Sequence, residues 1–344
     1  MQVILIHSPT AGEGHPTRAA LIHALAQAGH DPVYRSRDGA EWHTTLDAPA
    51  DLVVAVGGDG TVRVVALALA GRGVPLAVVP AGTANNIALT LGVCGALHEI
   101  VATWERARRV RLDVGVARGP WGERRFVEAV GFGAFARTIR DADGLREAGA
   151  VHDTNERDKR LCDDLRMLRD QVRDCRAAEA RFVLDGDTIS GRYVLASVMS
   201  IRSVGPNLLL APEADPGDGL LDVVLVSQDA REHLVTHLDR RLAGSTDAPE
   251  VPVRRARRVS VEWDGPDVHF DSEVWPKQGD HLRAVETPLR VDIELTGGSV
   301  EALVSLGASP ELGRVAPANA PPSPALASPS RACRPRRSLP SRQR

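Results

Sequence analysis

Leu52-Val53-Val54-Ala55-Val56-Gly57-Gly58-Asp59-Gly60-Thr61 is the stretch on which the fold of this chain turns. An apolar run of this length, rich in valine and closed by glycines, reads as a buried strand rather than a helix. The glycines let the backbone turn sharply and come close to a ligand. Val62, Val65, Ala66 and Leu69 then recur at i, i+3, i+4 and i+7, the spacing of one helix face. A strand, a glycine turn and a helix start together expose N–H groups that cradle phosphate oxygens. Asp59 cannot serve phosphate directly, because two anions repel, but it fits if Mg²⁺ sits between them.

The same rhythm recurs on both sides. The strand Val3–Ile6 leads into Ser8-Pro9-Thr10-Ala11-Gly12, and a helix is expected from about Thr17. Leu21, Leu25 and Ala28 share a face of that helix, with Pro16 before it and Gly29 after it. Leu76–Val79 reads as a third strand, followed by Pro80-Ala81-Gly82-Thr83-Ala84-Asn85-Asn86 and a short helix to Gly92. In a parallel sheet these loops leave the C-terminal strand ends and line one crevice. The reading is a Rossmann-like three-layer α/β nucleotide-binding domain over residues 1–115.

Beyond about Val110 the pattern changes. Phe126–Val130, Arg192–Ser200, Leu220–Val226, Val259–Trp263, Val268–Phe270 and Leu289–Leu295 read as strands. One helix is expected between about Asn155 and Ala180, with Leu161, Leu165, Leu168, Val172 and Cys175 as its packing stripe. Residues 116–295 are therefore read as a mostly-β sandwich domain, and 296–306 as a return to the first domain. Residues 307–344 carry seven arginines against one glutamate, with eight prolines, and read as a disordered tail.

Composition narrows the function. Hydrophobic residues at 43% and charged residues at 25% suit a globular protein. Aromatics at 3% argue against the stacking surfaces that hold single-stranded nucleic acid, so no nucleic-acid partner is expected. The cysteines lack metal-site spacing, which fits a reducing cytoplasm. No stretch approaches the ~18 apolar residues of a membrane span and no signal peptide is read, so any membrane contact is expected to be peripheral. The chain holds two lysines, Lys159 and Lys277, and neither follows a glycine-rich loop. That excludes a P-loop, and the absence of H-R-D and D-F-G excludes a protein kinase. Gly12-Glu13-Gly14 begins a dinucleotide fingerprint that no third glycine completes.

Gly57–Thr61 resembles the GGDGT motif of diacylglycerol, sphingosine and ceramide kinases, bacterial lipid kinases and NAD kinases. Four further segments resemble the lipid-kinase branch in its own order: Ser8–Gly12, Pro80–Gly92, Ala211–Val223 and Phe270-Asp271-Ser272-Glu273. The resemblance implies an ATP- and Mg²⁺-dependent kinase that phosphorylates a lipid hydroxyl, most simply that of diacylglycerol, to give phosphatidic acid. It implies Glu273 as the general base with Asp271 beside it, and Asp59 at the phosphates. Ser8, Pro9, Thr10, Ala11, Gly12, Gly57, Gly58, Gly60, Thr61, Gly82, Thr83, Asn85 and Asn86 would line the nucleotide. Asp215, Asp218 and the Leu220 carbonyl would hold a metal in the second domain. From the residues alone, Asp218 also reads as a plain Asp-Gly turn, and Asp271 and Glu273 as a solvated strand end.

Several positions depart from the family pattern: Ser8 and Ala11 in the first loop, Asn86, Ser272, and Arg63-Val64 where many relatives carry Asn-Glu. Other readings stay open: an NAD kinase or other soluble-substrate kinase of the same superfamily, and a non-catalytic nucleotide-binding regulatory protein. The lipid kinase would be cytoplasmic and would meet its substrate at the membrane surface, with a homodimer left open.

Overall fold

The computed structural model describes residues 1–9, 16–39, 41–147, 157–265, 267–277 and 288–304. Thr10, Ala11 and Gly12 of the first loop and the tail 307–344 lie outside them. The chain opens with β1 (Gln2–His7), α1 (Arg18–Gln27), β2 (Asp31–Ser36), α2 (Trp42–Thr45), β3 (Leu52–Gly57) and α3 (Asp59–Leu69). It continues with β4 (Leu76–Pro80), α4 (Asn86–Thr90), α5 (Leu97–Thr103) and β5 (Arg108–Asp113). Thr17 caps α1, its hydroxyl accepting the Ala20 N–H, and Leu21 and Leu25 are buried as expected.

The second region runs β6 (Gly115–Gly119), β7 (Gly122–Phe126), β8 (Ala129–Gly133), α6 (Ala134–Glu147), α7 (Arg157–Asp174), β9 (Ala178–Leu184) and β10 (Asp187–Met199). Then come β11 (Ser203–Val204), β12 (Leu208–Leu209), β13 (Leu221–Ser227), α8 (Arg231–Leu242), β14 (Val253–Ala256) and β15 (Arg258–Trp263). β16 (Val268–Phe270), β17 (Glu273–Trp275), β18 (Leu289–Glu294) and β19 (Ser299–Val304) complete the described chain.

The first sheet has the order β2-β1-β3-β4-β19-β5. β2, β1, β3 and β4 run parallel, and every residue of β3 is buried, as expected of a central strand covered on both faces. The sheet is mixed rather than purely parallel. β19 lies parallel to β4, and β5 lies antiparallel to β19. Among the described residues the second sheet is antiparallel and has eleven strands, with β10 paired to β8, β9 and β13.

β10 explains why its sequence reads as nearly continuous apolar. Ala196 and Val198 enter one core with Phe132, Phe182 and Val261. Leu195 and Met199 enter another, with Leu165 and Leu168 of α7 and Leu234 and Leu238 of α8. Both faces are buried, so polar alternation disappears.

Three expectations need correction. The helix expected to reach Ala180 ends at Asp174. Arg231 closes it, donating to the Val172 carbonyl at 2.9 Å and the Cys175 carbonyl at 2.8 Å, and β9 begins at Ala178. On its inner face Cys162 is buried, while Leu161 is only half-buried. The single strand expected over Phe126–Val130 is two, because Val127 and Glu128 turn their N–H groups to a side chain. The second domain also carries α6 and α8, which the apolar spacing did not disclose.

Leu168 is wholly buried between α7 and the sheet. Leu168→Ala is expected to cost about 2–5 kcal/mol by urea denaturation. Val33→Ala, at a position 42% exposed, is expected to change stability by less than about 0.5 kcal/mol.

Candidate active site

Two of the glycine-bearing loops touch through their backbones. A Cβ on Gly82 would lie 2.2 Å from the Gly58 Cα, and one on Gly57 would lie 2.5 Å from the Thr61 hydroxyl. Only hydrogens fit there, so the β3–α3 and β4–α4 turns lock together at the C-terminal end of the sheet. Gly58 precedes the first turn of α3, and its carbonyl accepts the N–H groups of Thr61 and Val62. Asn85 closes the second turn from a left-handed backbone at φ 59°. Its amide exchanges two hydrogen bonds with Gly82, each 2.8 Å.

Asp59 ties the two turns together. Its Oδ1 accepts the Ile87 N–H at 2.9 Å, so it caps the start of α4. Burial pushes its carboxyl upward, and the N–H groups of Ile87, Asn86 and Asn85 oppose that shift. Ser8 continues β1 into the same strand-end region, its N–H donating to Val56 O at 3.0 Å, and Pro9 follows it in the open. The other end of the second loop meets the second domain. The Thr83 carbonyl accepts from Arg157 at 2.6 Å, and the Asn86 amide donates to Gly205 O at 2.9 Å. Asn85 and Asn86 thus hold loops in place.

The second domain brings its expected acids to the same place. Asp271 is buried, with a left-handed φ of 53° that Asp tolerates better than most residues. Its carboxylate accepts the Val127 N–H at 3.1 Å, Glu128 at 2.7 Å and Ala129 at 3.1 Å. Arg63 Nε stands 3.0 Å away. Burial raises the Asp271 carboxyl, while Arg63 and those N–H groups lower it. Two residues on, Glu273 Oε1 accepts both terminal nitrogens of Arg63 at 2.7 and 2.6 Å, and Arg124 lies 3.5 Å from Oε2. His269 is buried beside them, with Nδ1 2.9 Å from Asp271 O, and burial pushes it down to about 4. It is therefore neutral at neutral pH, and Nδ1 donates.

Sequence reasoning missed two members of this cluster. Arg63 was noticed as a departure from the family pattern, without a partner. Glu128 was not singled out, although a lone acid in Phe126-Val127-Glu128-Ala129-Val130 was the available signal. Burial, then the charges of Asp59 and Asp271, push its carboxyl well above the usual range; Arg63 and an Asn86 hydrogen bond oppose them. Glu128 and Asp271 thus lie near the Arg63 guanidinium, with Asp59 near Glu128, and that charge balance suits a cation. Among the described residues, no three His, Cys, Asp or Glu side chains stand in metal-ligating geometry.

The same holds at Asp215, Asp218 and Leu220. The Asp215 carboxylate accepts the Gly217 N–H at 3.0 Å, and Asp218 Oδ1 accepts the Leu220 N–H at 2.9 Å. Asp218 Oδ2 is bound by Arg255, which also stands 3.6 Å from Asp222. Asp113 joins from the first domain, its Oδ2 accepting the Gly219 N–H at 3.0 Å. The guanidinium occupies the place of a cation on Asp218, so this donor set as arranged does not fit a metal.

Residues 2–117 match the diacylglycerol kinase catalytic domain. Residues 148–293 match the YegS C-terminal NAD kinase beta sandwich-like domain. A diacylglycerol kinase of Mycobacterium tuberculosis is 30% identical over 305 residues, 84% of this chain and 94% of its own length. The chain belongs to the diacylglycerol kinase catalytic-domain family. A Pseudomonas aeruginosa protein described as a YegS-like lipid kinase is 30% identical over 312 residues, 86% of this chain and 95% of its own. A crystal structure of a diacylglycerol kinase from Bacillus anthracis shares the fold, with TM-score 0.60 and 19% identity over 90% of this chain and 98% of that one. Members of this family are phosphotransferases with an alcohol acceptor. A kinase family implies ATP as phosphoryl donor and, typically, a divalent metal. No helix among the described residues is long and apolar enough to cross a membrane.

Gly82→Ala is expected to force the two turns apart and weaken nucleotide binding by about tenfold or more, measured by calorimetry with a non-hydrolysable ATP analogue. A second prediction concerns pH. Asp222 is buried, and burial raises its carboxyl to about 6, against the pull of Arg255 and with the push of Asp218 and Asp215. A folded value above the unfolded one of about 3.9 means that its contribution is fully present below about pH 4 and lost as pH rises through about 6. In metal-free buffer, Asp222→Asn is expected to gain about 1–3 kcal/mol over wild type at pH 7.5 relative to pH 4, read from urea melts.

Proposed function

We propose that the chain transfers the γ-phosphate of ATP to the hydroxyl of a membrane lipid, with diacylglycerol as acceptor and phosphatidic acid as product. One observation carries this reading. The helix that begins at the Gly57–Thr61 turn and the hairpin that bears Glu273 meet at a single guanidinium, in a chain of a lipid-kinase family. The phosphate end and the proton-accepting end of a transfer site would thus come from different domains, leaving the cleft between them for both substrates.

The chemistry asks little of covalent groups. Phosphoryl transfer passes through a loose transition state, so positioning and electrostatics supply most of the rate. The N–H groups at the start of α3 would face the phosphates, and the glycine contact would keep that turn fixed, while Asp59 takes the N–H groups at the start of α4. Glu273 would take the acceptor's proton as its oxygen bonds to the γ-phosphorus and the bond to the β-phosphate oxygen breaks. Its side chain is 40% exposed, which leaves it accessible to a hydroxyl arriving from outside. A divalent cation entering with ATP would supply neutralisation of the charge that develops on the phosphate oxygens. Asp59 and Glu128 are the acids that would hold it, since their inward charges lack full compensation. Asp271 keeps a structural role, with its oxygens engaged by N–H groups.

A diacylglycerol is reached only at a membrane surface, so peripheral attachment on the cytoplasmic side follows from this reading. The test is radiolabelled-ATP phosphorylation of mixed micelles holding diacylglycerol, sphingoid base or phosphatidylglycerol, with NAD⁺ as the soluble acceptor. Wild type is expected to label diacylglycerol. Glu273→Gln is expected to lose about 10²–10⁴ in kcat, the usual value of a proton acceptor. Asp59→Asn is expected to lose activity to a similar degree. Labelling of NAD⁺ without any lipid, or equal rates for wild type and Glu273→Gln, would overturn the proposal.

A further inference from the structure

Arg63 projects from α3, the helix that Asp59 begins, and ends in the other domain. Its side chain is 13% exposed. Nε stands 3.0 Å from the buried Asp271 carboxylate, and both Nη1 and Nη2 reach Glu273 Oε1, at 2.7 and 2.6 Å. Packing alone gives no reason for an arginine here. An apolar side chain could fill such a crevice without the cost of desolvating a charge, and partly buried ion pairs add little net stability. A planar guanidinium fork does what an apolar group cannot: it fixes the direction of a carboxylate.

The asymmetry of the contact matters. Both short bonds go to Oε1, while Oε2 has Arg124 only at 3.5 Å. One oxygen anchors the side chain, and the other keeps the lone pairs that a substrate hydroxyl would use. Nε meanwhile stands 3.0 Å from the Asp271 carboxylate as an ion pair without hydrogen-bond geometry, and Asp271 sets the backbone of the turn from which Glu273 departs.

We propose that Arg63 is the positioning residue of the transfer step, holding Glu273 against the helix that starts at the phosphate loop, so that base and phosphate keep one geometry across the domain cleft. This rests on the lipid-kinase reading, in which Glu273 is the base. A reacting group misplaced by about 1 Å loses about 10² in rate. Removing the fork should therefore act on kcat more than on nucleotide binding.

Three variants test it on the full chain with diacylglycerol micelles and ATP: Arg63→Met, Arg63→Lys, and Arg63→Met combined with Glu128→Gln. Arg63→Met is expected to lower kcat about 100-fold with KM for ATP within about threefold, the signature of a defect in the transition state rather than in binding. Arg63→Lys should recover about tenfold of that loss, since an ammonium restores the charge but not the fork. The double variant relieves the unopposed acid at Glu128, so it should recover thermal stability, and it is read by melting alone because Glu128 is itself among the acids that would hold the cation. Hydrogen exchange at Glu273–Trp275 should quicken in Arg63→Met. A kcat within about twofold of wild type for Arg63→Met, or full recovery of kcat by Arg63→Lys, would overturn the proposal, the latter by reducing Arg63 to its charge. If wild type phosphorylates no lipid, the functional reading fails separately. The exchange arm then decides: faster exchange at Glu273–Trp275 supports the strap, and unchanged exchange overturns it.

Discussion

The carboxylate of Asp271 is the constraint around which the two domains are arranged. It is buried, and it accepts three successive backbone N–H groups, from Val127, Glu128 and Ala129, beside the Arg63 guanidinium. Removing a carboxylate from water costs several kcal/mol, and such a group persists only where donors replace the lost hydration. The replacement dictates local structure. The three N–H groups bend the chain between β7 and β8, which sets where β8 begins and turns Glu128 inward. Asp271 itself adopts a left-handed backbone, and its N–H donates to Ala129 O at 2.8 Å. Glu273 leaves that turn toward the first domain, where Arg63 receives it.

The first domain has its own constraint, the backbone contact between Gly58 and Gly82. Strand-end loops in parallel sheets are commonly free to vary. Here the two turns are pressed together, Asn85 braces one of them, and the Asp59 carboxylate caps the helix that follows the other. The acid of the glycine motif therefore has two tasks. It holds the start of α4, and it contributes negative charge to a cluster whose members raise one another's proton affinity. Rigidity of this kind suits phosphoryl transfer, where catalysis depends on keeping charges in place.

Much of the first domain was legible because its signals are local. The β3 run, the glycine turn and the α3 spacing lie within one short stretch, and Thr17 with Leu21 and Leu25 marks α1 in the same way. β2 escaped because Asp31–Ser36 mixes a proline and charges with its apolar residues; pairing with β1 makes it a strand. α8 escaped because its apolar residues are outnumbered by charged and polar ones, and only packing on β13 and α7 shows which face counts. At the site, Asp59, Asp271 and Glu273 were named from short motifs. Glu128 was not, because an acid inside an apolar run acquires meaning only when its neighbours in space are known. Asn85 and Asn86 were read as nucleotide contacts, and the fold adds that their amides brace the loop and its junction with the second domain.

The amino-acid sequence by itself determined the order of the segments, the alternation of strand, glycine turn and helix in the first domain, and the family to which the motifs point. Those properties follow from backbone preference and apolar period, which act over a few residues. Tertiary structure alone decided the partners of Arg63 and Arg255. The first meets Glu273 across 210 positions, and the second binds Asp218 across 37. Neither pairing leaves a trace in local spacing, because a charge selects its partner by distance in space and by the loss of water around it. The Gly57–Thr61 stretch therefore announced phosphate chemistry, and the folded chain supplied the residue that joins its helix to Glu273.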